Sequence, residues 1–450
     1  MLRWSCNAWL VMKDFASMAN QRAETRNLTA DRPGDPGPAI VYEVVIQHAE
    51  ETAFLWLLRH GALSQPHYSL VELSKLDNRV EAHVDGLRIA GEGGWKVVQE
   101  TLSFEEPCDL FAAASLAFDS GNREWIDFVL TLSEKKRELM SGVVSALGWL
   151  PLEQARAPMQ ALVTSSSLTL RNIGIAAAAI HRVDPGALLN EAIISDDAYL
   201  RSRALRAVGE LGRVDLLPRM RGGLSDPDEH ARFAAAWSVT LLSPNRDSLA
   251  LLRTFAESAG PFSSRALQTA IRRMDPAATS AWLEWFSRRK EGVRMAINAA
   301  GAIGDPRRVP WLIDLMKIPA LARIAGEAFT MITGLDLAYH HLDKSQPEGF
   351  VSGPTDNPED ENVEMDPDEH LLWPDPALVQ KWWKDNAIRF QIGTRHLLGR
   401  PMSIEWLRQV LRIGAQRQRA AAALELAIRQ PGQPLFEVRA PGFRQQAALK

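Results

Sequence analysis

The chain has 450 residues, 46% hydrophobic and 24% charged, with a formal net charge of −4. That profile fits a folded soluble protein and asks for no polyanionic partner. Two cysteines, Cys6 and Cys108, are too few and too far apart for a disulfide framework or a zinc site, and no apolar run reaches the roughly 18 residues of a membrane span.

In chain order, residues 1–39 read as a loose leader. The stretch "MLRWSCNAWLVMKDF" has one Arg and a short apolar run broken by Asn7, and "DRPGDPGPA" has linker composition. Residues 40–104 read as an N-terminal helical region. "IVYEVVIQHAEETAFLWLLRHGAL" carries an apolar stripe, and "SLVELSKLDNRVEAHVDGLRIAG" has the 3-4 spacing of a surface helix.

Residues 105–336 repeat. Arg171, Arg201, Arg232, Arg265, Arg294 and Arg323 each stand near the start of an alanine-rich stretch, at spacings of 30, 31, 33, 29 and 29. A fixed period near 30 predicts a solenoid. Each unit reads as two helices. The first is rich in small residues, which let the next layer approach. It stops at a break such as Gly304-Asp305-Pro306, where proline disfavours helix in the residue before it. The second carries bulky apolar residues, as in "RRVPWLIDLMK". Neither helix buries its apolar face alone, so stacking supplies the core.

The end of the chain is polarised. Residues 343–377 hold 11 Asp/Glu against one Lys, a net of −10, and residues 378–450 hold 13 Lys/Arg against 4 Asp/Glu, a net of +9. Residues 337–377 read as an acidic, proline-rich inserted loop, and residues 378–450 as a basic C-terminal helical cap. The opposed charges predict that the loop lies over, or fluctuates near, the basic segment; masking of that segment from partners is the consequence to test.

These patterns resemble HEAT repeats, in particular the short bacterial HEAT-like kind. The resemblance is most specific over 165–335. It extends to the Ile332-Thr333-Gly334-Leu335-Asp336 segment and the Trp-rich "VQKWWKDN", which resemble the two halves of a solenoid cap. The implied fold is all-α: a right-handed α-solenoid of HEAT-like helix pairs, with an N-terminal helical cap and a C-terminal helical cap carrying the acidic loop. "NRVEAHVDGLRIAGEGGW" and "QRQRAAAALELA" also resemble an uncharacterised proteobacterial HEAT-repeat family. The genes of that family are loosely associated with type VI secretion clusters.

Motifs of chemistry are missing. There is no His-Glu dipeptide, and Glu229-His230 and Glu369-His370 run the other way without recurring. His340-His341, beside Asp336 and Asp343, matches no closed zinc site. Residues 356–369 contain no glycine, so they form no EF-hand loop. No Gly-x-Ser-x-Gly elbow or phosphate loop occurs, and "GEGG" reads as a helix–helix turn. The expectation is a cytoplasmic protein without enzymatic activity, catalytic residues, metal, cofactor or small-molecule substrate, which binds another protein.

The candidate partner-binding residues are Trp373, Trp382, Trp383, Glu359, Asp360, Glu361, Asp366, Asp368 and Glu369. The alternative is nucleic-acid binding through a basic surface of Arg408, Arg412, Arg417 and Arg419. The six repeat arginines read as a structural ladder that pairs with neighbouring layers.

Overall fold

The computed structural model describes residues 40–258, 260–353 and 365–450. Among the described residues three helices come first: α1 (Tyr42–Ala62), α2 (Leu70–Ala90) and α3 (Glu92–Thr101). Ser69 starts α2 with a capping box: its hydroxyl accepts from the Glu72 amide, and the Glu72 carboxylate accepts from the Ser69 amide.

The repeats follow as helix pairs. They are α4 (Pro107–Ser120) with α5 (Arg123–Lys135), α6 (Met140–Trp149) with α7 (Leu152–Val163), and α8 (Leu168–His181) with α9 (Ala187–Ala192). Then come α10 (Ala198–Leu211) with α11 (Leu217–Met220), and α12 (Glu229–Leu242) with α13 (Arg246–Glu257). The series ends with α14 (Ser263–Arg273) and α15 (Pro276–Ser287), α16 (Val293–Ile303) and α17 (Val309–Leu315), and α18 (Pro319–Thr333).

The first helix of each pair packs on the first helix of the next, from α4 through α18. Small residues make this stacking close. A Cβ added at Gly301 of α16 would lie 3.2 Å from Cα of Ala328 on α18, so only glycine fits without a shift. The architecture is an all-α solenoid whose short strands, among the described residues, lie in the C-terminal part.

That part differs from a simple cap. The strand β1 (Asp343–Lys344) pairs antiparallel with β2 (Trp373–Pro374), so the inserted loop leaves and returns at one point. Then come α19 (Pro376–Asn386), a hairpin of β3 (His396–Leu397) and β4 (Arg400–Pro401), α20 (Ile404–Ile413), α21 (Gln416–Arg429) and α22 (Gly442–Ala448). The hairpin lies against the carboxyl ends of the first helices, whose last carbonyls need partners. The His396 amide donates to Gly304 O at 2.7 Å and the Leu398 amide to Met331 O at 2.8 Å. Gly304 (φ 73°) ends α16 in the left-handed region, and a side chain there would strike the His396 carbonyl.

From there the chain runs back along the solenoid. Helix α21 packs on α12 and α14. The Leu435 amide donates to Glu210 O at the end of α10, and Arg182, just past α8, donates to Leu435 O at 2.6 Å. Gln446 and Gly442 reach α2, where the Ser74 hydroxyl accepts from the Gln446 side chain at 3.0 Å and Asp77 accepts from the Gly442 amide. A segment that touches both the first and the last repeats lies inside the curve. The chain's own tail fills the middle of the concave face.

The tail also ties the two ends together. Arg417 donates to Ser64 O, beyond α1, at 2.6 Å and pairs with Glu327 on α18 at 2.7 Å. The Gln416 amide donates to Tyr68 O at 2.7 Å, and Ser69 and Ala415 form an antiparallel bridge. No described helix is long and apolar enough to cross a membrane.

Candidate functional site: the arginine ladder and the filled concave face

The ladder sits at the amino ends of the first helices. Arg201 forms a two-pronged pair with Asp226 at 2.6 and 2.9 Å, and Asp226 precedes the next first helix. Side-chain hydrogen bonds from Arg201 pull the Asp226 carboxyl below its usual range. Arg232 donates to the carbonyls of Asp226 and Pro227. Arg171 reaches Glu191 at 3.5 Å. Arg265 departs from this pattern: it stacks over Phe233 and Trp237, at 5.3 and 5.4 Å from the ring centroids, and joins the interior cluster described below.

At the last two rungs no further repeat supplies a carboxylate, and the inserted loop supplies it instead. Asp368 accepts from both terminal nitrogens of Arg294, at 2.9 and 2.6 Å. Asp366 pairs with the buried Arg323, which also donates to Asp368 O at 3.0 Å. The Arg323 guanidinium stacks on Trp373 at 4.7 Å, and Phe350 meets Trp373 edge-on at 5.0 Å.

These contacts place most of the residues singled out in the sequence. Trp373, Asp366 and Asp368, read as partner-binding residues, are occupied within the chain, with Trp373 and Asp368 buried. The returning limb of the acidic loop lies on the ladder, and its His370 ring meets His67 near the amino end of α2; residues 354–364, which carry much of the loop's charge, lie outside the described residues, as does the expectation that they lie near the basic segment. The basic C-terminal segment is not one surface. Arg419 is wholly buried, donating to Leu411 O, Gln416 and Gln445, and burial lowers it to about 10. Arg417 is half-buried in its pairing, which leaves Arg408 and Arg412 exposed on α20.

Of the remaining candidates, Glu369 is exposed, and Glu359, Asp360 and Glu361 lie outside the described residues. Trp382 and Trp383 are both half-buried. Trp382 meets Phe329 of the last repeat, and Trp383 meets Phe390 at 5.2 Å.

Two buried carboxylates organise the interior. Glu425 of α21 is 1% exposed and faces Arg272 at 3.2 Å, Arg395 and Arg429. Burial lowers Arg272 to about 10. Glu210 of α10 accepts from Arg203 at 2.6 Å and Arg206 at 2.7 Å. Burial alone would raise its carboxyl, but Arg203, Arg206 and Arg182 together hold it well below the usual range. Neither was singled out from sequence. A lone Glu inside "AAAALELAIRQ", and Arg203, Arg206 and Glu210 at helical spacing, were the available signals.

Two histidines border this interior. Burial, then Arg439 and Arg59, lowers His60 to about 4; burial, then Arg444, lowers His181 to about 4. Both bases hold fewer protons folded than unfolded, where the value is 6.5. Their contribution to stability is therefore present above about pH 6.5 and is lost as pH falls toward 4. The urea midpoint is expected to drop between about pH 7.5 and 5, and less so in His60→Gln/His181→Gln. An unchanged midpoint would contradict this assignment.

Among the described residues no group of three or more His, Cys, Asp or Glu side chains is placed to hold a metal ion. A family model of HEAT repeats matches residues 186–272, which run from the amino end of α9 into α14 and include Arg201, Arg232 and Arg265. No curated protein and no solved structure matches the chain.

Proposed function

We propose that the protein is a non-enzymatic scaffold or adaptor that binds another protein. HEAT repeats commonly serve protein interaction, and a solenoid ordinarily offers its concave face. Here the chain's own tail occupies the middle of that face. The observation that carries the reading is a pair of highly exposed apolar side chains four residues apart in the C-terminal part. Ile388 is 95% exposed and Ile392 is 74% exposed, in the loop that follows α19 and adjoins Trp383. Neighbouring exposed apolar side chains of this kind mark contact sites more often than isolated ones do. The resemblance to a family associated with type VI secretion clusters supports an accessory role around such an apparatus, in the cytoplasm.

Affinity capture from the native cell tests this, with the full chain and an Ile388→Asp/Ile392→Asp variant as baits. The reading expects a stoichiometric protein partner that the variant loses by tenfold or more, about 1.4 kcal/mol. A partner retained equally by the variant would move the site elsewhere. A specific turnover by the purified protein would overturn the non-enzymatic reading.

A further inference from the structure

The middle of the concave face holds more cations than nearby carboxylates. Among the described residues, Arg182, Arg203, Arg206, Arg265, Arg439 and Arg444 gather there around Glu210 and Glu437. Arg182 is committed to Glu437 at 3.2 Å, and Glu210 is shared by Arg203 and Arg206.

Three guanidiniums keep donors to spare. Arg203 Nη1 and Arg444 Nη2 are buried and have no hydrogen-bond partner. Buried donors without acceptors are costly and rare in folded proteins, so each asks what is meant to occupy the space. Arg439 is exposed, and its guanidinium makes no hydrogen bond or ion pair among the described residues. The three come from separate segments: α10, the stretch before α22, and α22 itself. They share neighbours. Arg203 pairs with Glu210, whose carbonyl accepts from the Leu435 amide; Arg182 donates to Leu435 O and pairs with Glu437; the Glu437 carboxylate accepts from the Arg439 amide; and Arg444 meets His181, next to Arg182, at 3.0 Å.

We propose that this arginine cluster binds a small polyvalent anion of the phosphate class, held by Arg203, Arg439 and Arg444. The guanidinium fork matches the paired oxygens of a phosphate, and Arg182, Arg206 and Arg265 add positive field. The enclosure limits the ligand's size. The tail between Leu435 and Ala440 crosses the concave face, and Arg417 ties the ends of the solenoid.

The test is calorimetric titration of the full chain with inorganic tripolyphosphate, beside thermal melting in tripolyphosphate and in sodium chloride of matched ionic strength. The expected result is saturable binding near one per chain, with stabilisation that grows with tripolyphosphate concentration and is absent in chloride. Arg439→Gln and Arg444→Gln should each weaken binding by about tenfold or more, and Arg439→Lys by less, because it keeps the charge and loses the fork. Arg408→Gln, on the exposed face of α20, should bind as the natural chain does. Equal melting of Arg439→Gln and the natural chain in chloride shows that the fold is kept. If Arg439→Gln melts lower, Arg439→Lys decides by the same comparison. No saturable heat from the natural chain would overturn the proposal. So would equal affinity in the deciding variant, or binding of polyglutamate without tripolyphosphate.

Discussion

Glu425→Gln is expected to destabilise the protein by about 3–5 kcal/mol, the range for breaking a buried ion pair by removing one partner. The Glu425 carboxylate faces Arg272, Arg395 and Arg429, and the Arg272 side chain is as inaccessible as its own, each at 1%. Arg272 lies on α14 and Arg395 just before the β3–β4 hairpin, so one carboxylate joins a repeat, the hairpin and α21. The amide keeps the shape and removes the charge, which leaves Arg272 buried without its counter-ion. Urea denaturation reads the loss directly. The contrast is Glu284→Gln, whose pair with Arg288 is 3.6 Å long and largely exposed, and which is expected to cost no more than about 0.5 kcal/mol. Equal effects from the two would mean that the interior network does not hold the tail. The double variant Glu425→Leu/Arg272→Met should recover much of the loss, since an apolar replacement of similar volume removes both desolvated charges together.

Arg323→Ala is expected to have the second-largest effect, about 3 kcal/mol, because it also breaks a buried pair. Arg323 pairs with Asp366, donates to Asp368 O and lies over Trp373. The substitution removes the rung on which the returning limb of the insertion rests. Beyond the stability change, amide exchange over residues 366–374 should quicken while the amides of α12 and α14 stay protected. Exchange that is unchanged at Trp373 would show that β1–β2 pairing holds the limb without the ladder. Arg294→Ala, whose partner Asp368 retains its contact to Arg323 through the backbone, should act in the same direction and more weakly.

The repeats were legible in the sequence because their cause is local. Alanine-rich first helices, glycine breaks and the arginine period each act over one or two turns, and the stacking follows from them. The ladder as a structural feature was legible for the same reason at Arg201, whose partner Asp226 lies one repeat away. Other features depended on contacts that no local pattern records. Arg417 meets Ser64 across 353 positions, and Arg59 meets Ala440 across 381. Counting charge by blocks suggested that the −10 and +9 segments face each other. The described part of the acid block instead completes the last rungs of the ladder, and within the basic block Arg395 and Arg429 pair with the buried Glu425. Net charge gives the sum, whereas pairing depends on which residue reaches which helix end. Trp373 shows the same gap: an apolar residue after an acid run had to dock, but Arg323 and Phe350 as its seat follow only from the fold.

The central claim is that the solenoid closes on its own C-terminal segment. Ser69 and Ala415 form an antiparallel bridge between the start of α2 and the start of α21, which brings their Cα atoms within disulfide reach, about 4.5–5.5 Å. The most direct measurement is oxidation of a Ser69→Cys/Ala415→Cys chain in which Cys6 and Cys108 are replaced by Ser. Mild oxidant at low protein concentration should give a nearly complete intramolecular cross-link, seen as a mobility shift reversed by reductant. A chain that stays reduced, or that links only between molecules, would contradict the closed solenoid.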